Sequence, residues 1–339
     1  MEFLSFDLKS KSLTLKKDVI PVPEADEVLV KVAYSGICGT DLHIIEGAFP
    51  CKADGPVTLG HEFSGVVQAI GSAVTTFSVG QKVVVDPNSG CNICDFCHGG
   101  NYHFCQKGGI HRTIGIYRNG GWATHVLVPE AQTFLVPDGV ELPQAALVEP
   151  LSCLAHGWDI INPVNVGTRI LVIGAGIIGS LWSSLLHLHG QRKTVIISEP
   201  QVKRRELFEN LNLDFKAVSP ADLKGREFDL AIDCSGAAPA IEAALPLLSK
   251  GGRLCVFGVA NPQAEVKVKP FEIYMKELTI VGVNINPFTF PKALALVTAM
   301  GDTYLDFGKL GIGVYKLSQY EEALTALKNG DISKAVFKL

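Results

Sequence analysis

Ile170-Leu-Val-Ile-Gly174-Ala-Gly176-Ile-Ile-Gly179 is the stretch that decides the fold. Four apolar residues run into glycines spaced G-x-G-x-x-G, which reads as a buried strand, a tight turn and the start of a helix. The glycines allow the turn and let a pyrophosphate approach the helix N-terminus, where free N–H groups favour an anion. Taken bare, the spacing also fits a βα turn that is merely tightened by glycine. Its context adds weight. Glu199 ends the next strand, 25 residues after Gly174, where a carboxylate binds ribose hydroxyls. From Ile170 to Gln191 there is no Lys, Arg, Asp or Glu, which nearly meets the length of a membrane span. The early glycines, with Ser183, Ser184, His187 and His189 behind them, favour strand, turn and buried helix instead.

Outward from this turn the pattern is regular. A helix is expected over 145–161, and strands and helices then alternate through 169–173, 177–188, 194–198, 202–211, 228–233, 239–248 and 253–259. That alternation predicts a doubly wound parallel sheet with helices on both faces, giving an α/β fold. Another strand is expected over 278–285. Beyond it, helices over 291–300 and 320–328 precede a last strand over 335–339. Upstream, Val28, Val30 and Val32 alternate with Leu29 and Lys31, and strands are expected over 66–70, 82–85, 122–128 and 133–136. The first 145 residues are therefore β-rich. The division is 1–145, 146–285 and a C-terminal segment 286–339, in line with a length of 339 residues at about 150 per domain.

Composition removes several classes of function. An apolar content of 47% excludes disorder, and a net charge of −4 leaves no basic face for nucleic acid or a membrane surface. The N-terminal stretch MEFLSFDLKSKSLTLKK has no apolar run of signal-peptide length, so the expected location is the cytoplasm.

Between 86 and 121 lies a loop too long to be an idle connection. It carries Cys91-x-x-Cys94-x-x-Cys97-x7-Cys105, four of the nine cysteines. Two-residue spacers let thiolates turn back onto one tetrahedral ion, and an all-sulfur site suits a structural zinc. An iron–sulfur centre or a set of free thiols are the alternatives. A second set is dispersed: Cys38, Thr40, Asp41 and His43, then His61-Glu62, then Glu149. Cys, His and carboxylate are the ligand types of a catalytic zinc, but spacing alone does not unite them. Singly, Cys38 reads as a small buried hydrophobe and Glu149 as a charge at a helix N-terminus.

With these motifs in order, the chain resembles the zinc-dependent medium-chain dehydrogenases, specifically the polyol branch of sorbitol and arabinitol dehydrogenases, with L-threonine dehydrogenases as near relatives. The resemblance covers essentially the whole length. It implies a GroES-like catalytic domain, a Rossmann domain binding NAD, and a C-terminal segment that returns to the first domain. It places Cys38, His61, Glu62 and Glu149 around a catalytic zinc and Cys91, Cys94, Cys97 and Cys105 around a structural one. Thr40 would meet the substrate hydroxyl, His43 would carry the proton outward, and Asp41 would orient the histidine ligand. Gly174, Gly176, Ile177, Ile178, Gly179, Glu199, Arg204 and Val259 fall on cofactor positions. Cys153, near Glu149, occupies no ligand position and reads as helix packing. The implied substrate is a secondary alcohol of a polyol or sugar-derived molecule, and the implied assembly is a homodimer or homotetramer. Two departures stand out: Gln81 replaces an Asp, and Asn286-Pro287-Phe288 stands where sorbitol-type enzymes carry Arg. A zinc-free quinone reductase would lack both ligand sets. A non-catalytic structural or nucleotide-sensing protein on the same fold would have no need of them.

Overall fold

The computed structural model describes residues 1–49 and 55–339. The chain opens with an antiparallel hairpin, β1 (Glu2–Asp7) and β2 (Ser12–Lys17), followed by the long strand β3 (Glu27–Gly36). Val28, Val30 and Val32 point into the core and Lys31 stays exposed, but Leu29, on the same parity as Lys31, is buried too, so the expected half-buried pattern holds only in part. From β3 the backbone turns at Cys38 into α1 (Gly39–Glu46), which Gly47 ends in the left-handed region at φ 76°. Strands β4 (Phe63–Ile70) and β5 (Lys82–Val85) follow, then the cysteine-bearing loop with its short α2 (Asp95–His98). Strands β6 (His125–Pro129) and β7 (Thr133–Leu135) complete the first part.

Helices α3 (Leu142–Ala145) and α4 (Val148–Ile161) lead to the second sheet. There β8 (Ile170–Ile173), α5 (Ile177–Leu188), β9 (Val195–Ser198), α6 (Val202–Glu209) and β10 (Lys216–Val218) form one half. The other half is β11 (Phe228–Asp233), α7 (Ala238–Ala244), β12 (Leu248–Val256), α8 (Pro270–Lys276) and β13 (Thr279–Gly282). The order is β10-β9-β8-β11-β12-β13 and every pair is parallel. All four residues of β8 are buried because helices cover both faces. The connections change direction between β8 and β11, and that switch point opens a crevice at the strands' C-terminal ends.

The tail joins both parts. Helix α9 (Phe290–Leu305) packs on α4 and α5, whereas β14 (Ile312–Tyr315), α10 (Tyr320–Lys328) and β15 (Lys334–Lys338) extend the first sheet. Its order is β14-β15-β3-β4-β5-β7, with β6 also on β3.

Some expected boundaries move. The strand expected over 278–285 stops at Gly282, and Ile285 adopts φ 44°. The strand expected over 253–259 starts earlier and stops at Val256, because the chain turns at Gly258 hard against Gly236 N and Ser235 N, where no Cβ would fit. Trp122 precedes β6 rather than starting it, and its buried indole N–H donates to the Gly36 carbonyl at 3.0 Å. Among the described residues no helix is long and apolar enough to cross a membrane.

Candidate active site and metal centres

Cys38 ends the β3 connection at the N-cap of α1, and Asp41 sits three residues on. Its Oδ2 accepts the Cys38 N–H at 2.8 Å, which secures the first turn of the helix. Its Oδ1 lies 3.5 Å from His61 Nδ1. The same buried carboxylate thus secures the helix start and faces the imidazole at ion-pair distance, with no hydrogen bond between Oδ1 and Nδ1. Donor atoms of Cys38, His61 and Glu62 all lie within 4.8 Å of one another. His61 and Glu62 are almost wholly buried. Burial would push the His61 imidazolium down, but Asp41 and Cys38 outweigh it and raise the group well above its ordinary value. Such an environment favours a cation, and the soft, borderline and hard donors together fit zinc.

Glu149, near the start of α4, lines the same cavity but stands outside that three-donor group. Burial pushes its carboxyl up to about 8, with His61 opposing and Glu62 reinforcing the shift. Cys153, read from the sequence as packing, lines the cavity too, and its Sγ donates to Glu149 Oε1 at 3.8 Å.

The cavity measures about 310 Å³. Thr40 and His43, one helical turn apart on α1, lie on its wall with Cys38, His61 and Glu62. Ile178, Cys234, Ser235 and Val259 face them from the switch point of the second sheet. Phe49, Ile110 and Ile116 supply apolar lining that the sequence did not single out. A larger groove, about 520 Å³, runs beside Arg118–Asn119 and His125–Leu127, but none of the candidate ligands reaches it.

At the glycine-rich turn Gly174 has φ 101°, and a Cβ on Gly179 would run into the Gly174 carbonyl oxygen. Gly176 has open space where its Cβ would be. Glu199 is buried; its Oε2 accepts the Ala175 N–H at 3.0 Å and its Oε1 the Gln201 N–H at 2.9 Å. Arg204, half-buried on α6, reaches towards Gly330. Ile177 packs into the core beneath the turn rather than lining the cavity.

In the loop, the sulfurs of Cys91, Cys94, Cys97 and Cys105 gather within 4.8 Å of each other. Cys94 caps the short helix that carries Cys97, 3.6 Å away between sulfurs. Gly90 leaves room for Cys97 Sγ, which a Cβ would meet at 2.5 Å. The donor set is all thiol and closed, so it fits a structural zinc with no open position.

A β-rich unit presenting a half-buried Cys with buried His and Glu donors across a cleft from a dinucleotide-type crevice defines a cofactor-dependent dehydrogenase. Comparisons with known proteins agree. The alcohol dehydrogenase GroES-like domain family matches residues 24–138, and the zinc-binding dehydrogenase family matches residues 178–299. D-arabinitol dehydrogenase 1 of Uromyces fabae is 33% identical over 97% of this chain and 95% of its own. Sorbitol dehydrogenase of Halalkalibacterium halodurans is 33% identical over 93% of this chain and 92% of its own. A crystal structure from Sinorhizobium meliloti 1021, bound to NADP, is 32% identical, covers both chains completely and superimposes with a TM-score of 0.87. The chain belongs to the zinc-binding alcohol dehydrogenase family.

Proposed function

We propose that this dehydrogenase oxidises a secondary alcohol of a polyol or sugar-derived substrate, with NAD as hydride acceptor. One observation carries the reading: a single cavity holds the Cys38–His61–Glu62 donors, the Thr40–His43 pair and the crevice of the nucleotide-type sheet. The polyol class is supported by the relatives named arabinitol and sorbitol dehydrogenase.

Two zinc ions per chain fit the two donor sets. Cys38, His61 and Glu62 would hold the catalytic one, with Glu149 lining the same cavity. Cys91, Cys94, Cys97 and Cys105 hold the structural one. When bound, the catalytic metal supplies Lewis acidity that lowers the pKa of a substrate hydroxyl. The protein does the rest. Asp41 orients His61, Thr40 accepts the hydrogen bond of the substrate hydroxyl, and His43 passes the released proton to solvent. Phe49, Ile110 and Ile116 exclude water from the reacting carbon.

NAD is favoured by Glu199. Its carboxylate, anchored by the Ala175 N–H of the glycine turn and the Gln201 N–H at the start of α6, would bind the ribose hydroxyls and repel a 2′-phosphate. Gly174, Gly176, Ile178, Gly179, Arg204 and Val259 complete the cofactor cradle. Exposed Ile280 on the edge strand β13, and exposed Phe271, Tyr274 and Met275 on α8, support a homodimer or a higher homo-oligomer. The deciding experiment combines metal analysis with a panel of polyols, sugar acids, threonine and simple alcohols, assayed with both nicotinamide cofactors. Turnover confined to another class, or no zinc-dependent turnover, overturns the reading.

A further inference from the structure

Lys334, the first residue of β15, is 2% exposed, which is rare for a lysine without a partner. Its ammonium ion-pairs with Glu62 Oε2 and donates to the Ile37 carbonyl at 3.3 Å. Room for the pair comes from Gly36 on the neighbouring strand: a Cβ there would strike Glu62 Oε2 and come within 2.8 Å of Lys334 Cε. With a metal bound, three anionic side chains would crowd this corner: Cys38 as the ligating thiolate, Asp41 and Glu62. A dication supplies only two positive charges against them. Unpaired buried charge is costly, and the lysine supplies the third.

We propose that Lys334 is a positioning residue for the metal centre, sharing the Glu62 carboxylate with the metal and so limiting how tightly Glu62 holds it. The inference rests on the assignment of Cys38, His61 and Glu62 as metal ligands. The ammonium draws electron density from the carboxylate, which leaves the metal the stronger Lewis acid. The C-terminal strand therefore reaches the chemistry through one side chain, although it contributes no ligand.

The test is titration of enzyme stripped at the Cys38 centre with Co²⁺, followed by the visible cobalt spectrum, at a pH where the ligands are deprotonated. Lys334→Met leaves the metal as the only counter-charge of Glu62, so Co²⁺ should bind about tenfold tighter or more. Lys334→Gln, which keeps a hydrogen-bond donor and is the safer fold, should shift affinity in the same direction, and Lys334→Arg should stay near wild type. In a Glu62→Gln background the effect of Lys334→Met should shrink sharply, because the shared carboxylate is gone. Unchanged or weaker Co²⁺ binding in both charge-removing variants overturns the proposal. So does an effect of equal size with and without Glu62. Failure of Co²⁺ to bind the wild-type centre at all would instead overturn the ligand assignment.

Discussion

Asp86→Asn should change how stability depends on pH, because Asp86 is a buried carboxyl with no cation beside it. It closes β5 onto the cysteine loop and ties that loop to the chain leaving the second sheet. Its Oδ1 accepts the Asn88 N–H at 3.0 Å and Asn286 Nδ2 at 3.0 Å, while Tyr102 OH lies 3.5 Å from Oδ2. Burial raises the group from 3.8 to about 7, more than these hydrogen bonds lower it. Between about pH 4 and pH 7 the folded protein thus keeps a proton that the unfolded chain has released. Stability from this group consequently falls as pH rises through that window and levels off above it. The shift is about 3 units, and at about 1.4 kcal/mol each the window spans about 4 kcal/mol. An asparagine keeps the acceptor oxygen for Asn88 and Asn286, and its amide can donate to Tyr102, without ever ionising. Urea unfolding of the zinc-loaded protein at several pH values, wild type against Asp86→Asn, measures the difference. The variant should gain on the wild type steadily from pH 4 to 7. Parallel curves for the two proteins would refute the reasoning.

Three further outcomes are expected. Cys97→Ser should cost one of two zinc equivalents and loosen the 86–121 loop, since binding energy there is folding energy; metal analysis and limited proteolysis read both effects. Glu199→Ala should narrow the preference for NAD over NADP, seen as a smaller ratio of the two kcat/KM values, and an unchanged ratio would remove Glu199 from cofactor selection. His43→Gln should leave zinc bound but slow alcohol oxidation by about 10²–10⁴-fold, most at low pH, the range typical of acid–base groups. A zinc-replete His43→Gln enzyme with the wild-type pH–rate profile would eliminate the proton relay.

Much of the site was legible in local spacing. Cys91, Cys94, Cys97 and Cys105 sit close enough along the chain that two-residue spacers bring their sulfurs together, so sequence distance stands in for spatial distance. The glycine turn is likewise local: Gly174 and Gly179 belong to one strand–turn–helix, and their need for space is met within six residues of chain. The α/β rhythm after residue 145 follows from apolar periodicity, because each buried strand and amphipathic helix carries its own pattern. Several boundaries shifted by a few residues, and at Gly258 the shift follows from a tertiary crossing against Gly236.

What the sequence alone could not decide is whatever depends on segments distant in the chain meeting. Cys38, His61 and Glu149 looked individually ordinary, and family resemblance rather than spacing joined them. The fold brings Cys38, His61 and Glu62 into one group and leaves Glu149 at its margin. Cys153 passed for packing because helical position says nothing of what lies across a cavity. Lys334 is the sharpest case. In Ser333-Lys-Ala-Val-Phe-Lys338 two lysines share one strand parity, yet Lys338 is exposed and Lys334 is buried against Glu62. Alternation assigns a side of the strand but not what covers it. Only the return of the last strand to β3, opposite a glycine that leaves the space, turns one of two similar lysines into the counter-charge of the metal centre.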